Sequence, residues 1–359
     1  MHSIPEIEFE EVTGRDGNLG LITLTRPQVL NALNHEMFIA MNKQLSEWEE
    51  ANHIKAVVIR AAEGRAFCAG GDIRSAYQRK NEGDAELSNF FRDEYQLNQH
   101  IYHYLKPYIA LMDGITMGGG VGISVHASHR VATERLIFAM PETGIGFYPD
   151  VGATYVLSHL PDHMGMYLGL TGARISLNDC RALELIDYGV KPDCFAELIY
   201  KLADTSLTND SNAVIDNIIQ EFSLPSSESA LLQHREKISH CFRLESVEAI
   251  VHALEIHTDP WCREVASNLK TKSPTSLKVT FRAINEAKTL DFDECMQIEY
   301  RLTSRFLEGH DFFEGIRAVL VDKDQKPHWK PAKLDEITAI DIKKYFAPLE
   351  KELFALNPE

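Results

Sequence analysis

From Phe138 to Leu160 the chain reads FAMPETGIGFYPDVGATYVLSHL, with two acids each placed directly after a proline: Glu142 after Pro141 and Asp150 after Pro149. Proline stiffens a loop and helps to fix where the next side chain points. Glycines and apolar residues (Gly144, Ile145, Gly146, Phe147) fill the space between the acids. A carboxylate held among apolar groups loses hydration, and its pKa rises. Two such carboxylates near one another tend to separate in pKa, which yields a base or nucleophile and an acid. Plainer uses exist for both. Asp150 has the type and place of an N-cap for a helix starting at Val151, and Glu142 suits an exposed loop.

A second source of chemistry is main-chain. The strand-like run AVVIRA (Ala56–Ala61) leads into AEGRAFCAGGDI, and YIALMDG (Tyr108–Gly114) leads into ITMGGGVGI. Each reads as strand, glycines, helix. Glycine lets a ligand approach backbone N–H groups closely, and a helix start leaves N–H donors unpaired. One such turn is explained by tight strand–helix packing alone. Two in one core can supply one N–H each to a shared oxygen, the geometry of an oxyanion hole. Gly118–Gly122 is not G-x-G-x-x-G, no G-K-[ST] follows either cluster, and no G-x-S-x-G surrounds Ser124. These absences argue against dinucleotide, Walker-type and serine-elbow chemistry. His100/His103 and His126/His129 have metal-compatible i, i+3 spacing but no evident third ligand. Cys68 lies beside the first glycine turn with no histidine near it in sequence, and reads as a small buried hydrophobe.

The elements that must position these groups follow from pattern. Ile7–Val12 and Leu21–Thr25 largely alternate and form a predicted hairpin. Asn34 is a predicted N-cap for a helix from His35 to Ala51, with Met37, Met41, Leu45 and Trp48 at helical spacing. Further helices are predicted over 85–105, stopped by Pro107, and over 119–127. Strands are predicted at Ala56–Ala61, Tyr108–Asp113, Arg130–Thr133 and Leu136–Phe138. The second half is mainly helix-periodic, with breaks near Ser223–Ser227 and Lys272–Thr275. This predicts an α/β core over 1–190 and a mostly helical region over 191–359 that packs on it.

The chain has 359 residues, 44% apolar and 25% charged, with a net charge of −17. Such a surface disfavours nucleic acid and anionic membranes as partners. Six scattered cysteines without C-x-x-C suggest a reducing compartment rather than a disulfide frame. The acidic start MHSIPEIEFEEV has no apolar signal core. The expected location is therefore cytoplasmic, or the mitochondrial matrix for a processed chain.

The stretches LTRPQVLNALN, AFCAGGDI, FFRDEYQLN, GITMGGGVGISVHASHRVATE, FAMPETGIGFYPDVGATY, SPTSLKVT and DFFEGIRAVLVDKDQKPHWKPA together resemble the enoyl-CoA hydratase/isomerase (crotonase) superfamily. The likeness spans nearly the whole chain and is weakest over 193–272. PETGIGFYPDVG and DKDQKPHWKP resemble its thioester-hydrolase branch. The resemblance implies an α/β fold, a spiral of ββα units with a helical C-terminal region. It implies hydrolysis of 3-hydroxyisobutyryl-CoA, and of 3-hydroxypropionyl-CoA, to the hydroxy acid and CoA, a step of valine breakdown. The implied partner is the acyl-CoA substrate, with no cofactor or metal, in a trimer-type homo-oligomer. The N–H groups of Gly71 and Gly119 would hold the thioester oxygen. Asn31, Ala32, Leu33, Ala69, Gly70, Gly71 and Asp72 would line the CoA moiety. Glu142 would attack the carbonyl carbon or activate water, Asp150 would bind the substrate hydroxyl and serve the hydrolytic water, and Glu94 would support that polar end. Family hydratases carry a second glutamate two residues after the third glycine of the second turn. That position here is Gly122, which favours hydrolase over the alternative, an enoyl-CoA hydratase or isomerase acting on short-chain acyl-CoA.

Overall fold

The computed structural model describes residues 4–81, 87–207 and 211–354. The predicted hairpin forms as β1 (Ile7–Thr13) and β2 (Asn18–Leu24), antiparallel, with Ile7 opposite Leu24 and Thr13 opposite Asn18. The remaining strands are β3 (Ile54–Ala61), β4 (Ala66–Cys68), β5 (Tyr108–Met112), β6 (Ile115–Met117), β7 (His129–Thr133), β8 (Ile137–Ala139) and β9 (Tyr188–Val190). They form a six-stranded sheet of order β1-β2-β3-β5-β7-β9 and a three-stranded sheet of order β4-β6-β8. In the larger sheet every pair after the hairpin is parallel. From β3 onward the chain places successive strands alternately on the two sheets. That alternation is the repeat of a ββα spiral.

By contacts the chain divides into two compact units, each assembled from separated segments. The first comprises Met1–Gly71, Gln96–Phe138 and Arg174–Leu232; the second comprises Asp72–Tyr95, Ala139–Ala173 and Gln233–Glu359. The change to helical content near residue 190 marks the last strand, whereas these units cut the chain elsewhere. In the first unit, residues two apart on each strand share a face. Leu19, Leu21, Ala56, Val58, Ile109, Leu111 and Val131 thus meet Leu198, Leu202, Ile215 and Ile219 of the helices Phe195–Asp204 and Ser211–Phe222 in one apolar core. The helix His35–Glu50 starts as predicted, with the Asn34 side chain accepting from Met37 N–H at 2.9 Å.

Two helices end earlier than their patterns predict. The first described turn of one begins at Leu87 and the helix stops at Tyr102; the start predicted at residue 85 lies outside the described residues. Proline disfavours helix at the residue before it, and the Leu105 N–H is taken by the Glu49 carboxylate at 3.0 Å. The helix at the second glycine turn covers only Gly119–Gly122. The Ser124 hydroxyl donates to the Gly120 carbonyl at 2.7 Å, a side-chain bond that competes with continued helix. The second unit is built largely from helices, among them Met164–Thr171, Pro274–Ala287, Phe292–Glu308 and Asp311–Ile316.

Candidate active site

In the first unit the two glycine turns lie side by side. A Cβ built on Gly70, whose φ is +113°, would sit 3.6 Å from the Gly119 nitrogen and 3.8 Å from the Gly118 Cα. Gly120 is closer still to the first turn: its added Cβ would lie 2.3 Å from the Cys68 carbonyl oxygen. Only glycine permits this approach. The N–H groups of Gly71 and Gly119 donate to no described residue. Gly119 opens a helix, so its N–H is one of the donors that helices leave unpaired. The turns that follow β4 and β6 therefore present two main-chain donors without a partner among the described residues.

The segment expected to line CoA is zipped to the first turn. Leu33 N–H donates to Gly70 O at 2.9 Å, and Ala69 N–H to Leu30 O at 3.0 Å. Asn31, at φ +54°, is fully buried. Its side chain donates to Ala66 O and accepts from Arg26 N–H, each at 2.9 Å. That side chain is spent on holding the turn, and the neighbouring Ala32 is half-buried. Asp72 follows Gly71 directly and is half-exposed. Cys68 is buried with its sulfur folded against Gly70. The His100 ring bonds Asn42, and that of His129 bonds Ser128. Among the described residues no three His, Cys, Asp or Glu gather as a metal-binding group.

The second unit brings Glu94, Glu142 and Asp150 together. All three are buried, with 3%, 6% and 5% exposure, so Glu142 is not the exposed loop acid that its sequence permits. Glu94 lies on the helix Leu87–Tyr102, on the side that also buries Phe90, Phe91 and Asn98. Glu142 opens the short turn Glu142–Ile145. That turn is fixed by Phe147 N–H on Glu142 O (3.0 Å), by Ser273 N–H on Thr143 O (3.3 Å) and by the Thr143 hydroxyl on Leu170 O (3.0 Å). Gly146 ends it at φ +72°, pressed against the Asp311 carbonyl, where an added Cβ would be only 2.2 Å from that oxygen. Aromatic rings make the surroundings apolar: Phe147 lies 5.8 Å from Phe91, 5.3 Å from Phe306 and 4.5 Å from Phe312, centroid to centroid.

Asp150 is not an N-cap. The helix after it starts at Ala153 with Gly152 in the capping position and no side-chain cap. Instead Asp150 Oδ2 accepts from the Tyr95 hydroxyl at 2.7 Å. The capping geometry is lost because Val151 and Gly152 both turn left-handed, at φ +56° and +81°. For a β-branched residue such as Val151 this is a strained conformation.

Burial pushes the pKa of all three acids up. Glu94 stands well above the ordinary carboxylate range, through burial first and then the neighbouring Asp150 and Glu142. Glu142 is raised well above it by burial and by Asp150. Asp150 is raised by burial to about 7, with the Tyr95 hydrogen bond pulling the other way. Glu142 Oε2 is buried and has no hydrogen-bond partner among the described residues. An unpaired buried carboxylate oxygen is costly.

The sequence reading missed four residues here. Tyr95 and Tyr148 both bond Thr303, at 2.6 and 2.8 Å, and Glu299 is fully buried nearby. A signal for Glu299 exists: it shares helical spacing with Cys295, Leu302 and Phe306, so a carboxylate falls on a largely apolar face.

The family model for enoyl-CoA hydratase/isomerase matches residues 19–346. A Rattus norvegicus protein named 3-hydroxyisobutyryl-CoA hydrolase, mitochondrial, is 42% identical over 344 residues, covering 95% of this chain and 89% of that protein. The Homo sapiens protein of that name is 40% identical over 343 residues, with the same coverages. Among solved structures, a carnitinyl-CoA dehydratase from Mycobacterium thermoresistibile is 37% identical, with a TM-score of 0.88, covering 96% of this chain and 98% of that one. An enoyl-CoA hydratase from Rhodobacter sphaeroides is 33% identical, with a TM-score of 0.86 and coverages of 97% and 99%.

Proposed function

The chain belongs to the enoyl-CoA hydratase/isomerase family, and from that premise we propose that it is an acyl-CoA thioester hydrolase. Its substrate would be 3-hydroxyisobutyryl-CoA, with 3-hydroxypropionyl-CoA as a second, and its role a step of valine breakdown. The names of the hydrolase relatives support this reading. So does Gly122: it is buried in the helix Gly119–Gly122 and supplies no carboxylate. The observation that carries the proposal is the Glu142 carboxylate, buried, unpaired at Oε2 and grouped with Asp150 and Glu94.

In the proposed reaction the Gly71 and Gly119 N–H groups take the thioester oxygen. Charge grows on that oxygen as the carbonyl carbon is attacked, so donors already in place lower the barrier; each is worth on the order of 10²–10³ in rate. Glu142 attacks the carbon, the C–S bond breaks, and CoA leaves as the thiolate. The resulting mixed anhydride splits one acyl transfer into two easier steps. Water then attacks the anhydride, Asp150 takes its proton, and Glu142 is freed as a carboxylate. Asp150 also accepts the substrate 3-hydroxyl, and Glu94 supports that end. A carboxylate of raised pKa is the stronger base and nucleophile once ionised. CoA would lie along Asn31–Leu33 and Ala69–Asp72, mainly on backbone groups. No cofactor is required by this scheme. A reducing compartment, cytoplasm or mitochondrial matrix, suits the six free cysteines, and a trimer-type assembly follows from the family resemblance.

A thiol-trapping assay tests the proposal. Free CoA should appear from 3-hydroxyisobutyryl-CoA. Loss of the crotonyl-CoA chromophore without free thiol would indicate a hydratase, and neither signal would indicate a non-catalytic acyl-CoA binder.

A further inference from the structure

The helix Phe292–Glu308 presents two polar residues, Glu299 and Thr303, one turn apart on a face that otherwise buries Cys295, Leu302 and Phe306. Residues four apart on a helix are neighbours on its surface. Glu299 is fully buried. Its carboxylate collects three donors: Gly152 N–H on Oε2 at 2.7 Å, and Thr154 N–H and hydroxyl on Oε1 at 3.1 and 2.6 Å. Among the described residues no Lys, Arg or His pairs with it. Its strongest charged neighbour is the Asp150 carboxylate, and burial raises its pKa to about 8 despite the three donors.

Burying a carboxylate without a cation is expensive, and a well-packed apolar residue would stabilise the same helix face at lower cost. All three donors belong to Gly152 and Thr154, immediately after Asp150. The intervening Val151 is held left-handed, a backbone state that persists only where the surroundings enforce it. On the other side of Asp150, Tyr95 joins its Oδ2 to the Thr303 hydroxyl. Tyr148 bonds both the Glu299 carbonyl oxygen and Thr303. One helix therefore holds Asp150 from the backbone side through Glu299 and from the carboxylate side through Thr303 and Tyr95.

We propose that Glu299 is a positioning residue for Asp150: it fixes the left-handed Val151–Gly152 turn and thereby the direction of the Asp150 carboxylate. The inference rests on the role assigned to Asp150 above. It predicts a dependence that a purely structural role does not produce. Glu299→Gln keeps the side-chain length but turns an NH2 group toward one of the N–H donors, so one side of the grip is lost.

The test is a cycle of thiol-release kinetics with 3-hydroxyisobutyryl-CoA on four proteins: the parent chain, Glu299→Gln, Asp150→Asn and the double variant. Residues that act as a unit are strongly non-additive. Glu299→Gln should lower kcat by roughly 10–100-fold in the parent background, the scale expected for a small misplacement of a reacting group. It should lower kcat by less than about twofold when Asp150 is already Asn. KM should change little, because CoA contacts are untouched. Thr154→Val keeps the side-chain volume and removes only the hydroxyl donor. It should give the same pattern at smaller size, and it decides the question alone if Glu299→Gln does not fold. Equal losses in both Asp150 backgrounds, or no loss in the parent, would overturn the inference while leaving the hydrolase reading intact. Full activity of Asp150→Asn by itself would overturn the Asp150 role and this inference with it.

Discussion

Replacing Tyr95 with Phe separates the electrostatic part of the site from its shape. Tyr95 is fully buried, and its hydroxyl donates to Asp150 Oδ2 at 2.7 Å. Phe keeps the ring, and Thr303 retains Tyr148 as a partner at 2.8 Å. What changes is the balance on Asp150: burial holds its pKa up, near 7, and the Tyr95 bond is the largest influence that lowers it. A hydrogen bond to a charged group contributes about 1.5–3 kcal/mol, and about 1.4 kcal/mol corresponds to one pKa unit. Removing the bond should therefore move the Asp150 pKa up by about 1–2 units. If Asp150 must be ionised to take a proton from water, activity is lost as pH falls through this pKa. The acidic limb of the kcat profile should then move from near 7 to about 8–9. At neutral pH the ionised fraction drops from about one half to a few per cent, roughly a 15-fold loss, and most of it returns at high pH. Thiol release measured across pH on Tyr95→Phe reads this directly. A limb that stays near neutrality, or a loss of the same size at every pH, would show that the Tyr95 bond does not set the Asp150 pKa.

Two further outcomes follow from the geometry. Asp150→Asn should impair 3-hydroxyacyl-CoA substrates more than unsubstituted acyl-CoA of equal length; equal impairment in a substrate panel would remove its contact with the hydroxyl. Gly120→Ala places a Cβ 2.3 Å from the Cys68 carbonyl oxygen, which should destabilise the chain by about 1–3 kcal/mol in denaturant titration. It should also lower kcat by about 10-fold or more by shifting the adjacent Gly119 donor, and unchanged kcat in folded protein would contradict the role of that donor.

Much of the site was legible because its parts are local. The glycine turns follow buried strands within a few residues, and Glu142 and Asp150 sit in one proline-stiffened segment. Helix starts such as that at Asn34 were equally readable, since a cap and an apolar stripe are short-range signals. What escaped depended on distant partners. The N-cap reading of Asp150 was reasonable locally, yet Tyr95 and Glu299 act on that loop from positions 55 and roughly 150 residues away in sequence. The early end of the helix Leu87–Tyr102 has the same origin, because Glu49 claims a main-chain donor from another helix. The compact units also join segments far apart in the chain, which no local pattern announces.

In the proposed mechanism the Glu142 carboxylate does the chemistry at the thioester carbon. The direct measurement is thiol release by Glu142→Gln, paired with calorimetric binding of a CoA ester to the same protein. A carboxamide of the same shape cannot attack as the carboxylate does, so kcat should fall on the order of 10³-fold or more while the ester still binds. Near-normal turnover by Glu142→Gln would exclude Glu142 as the group that reacts with the thioester.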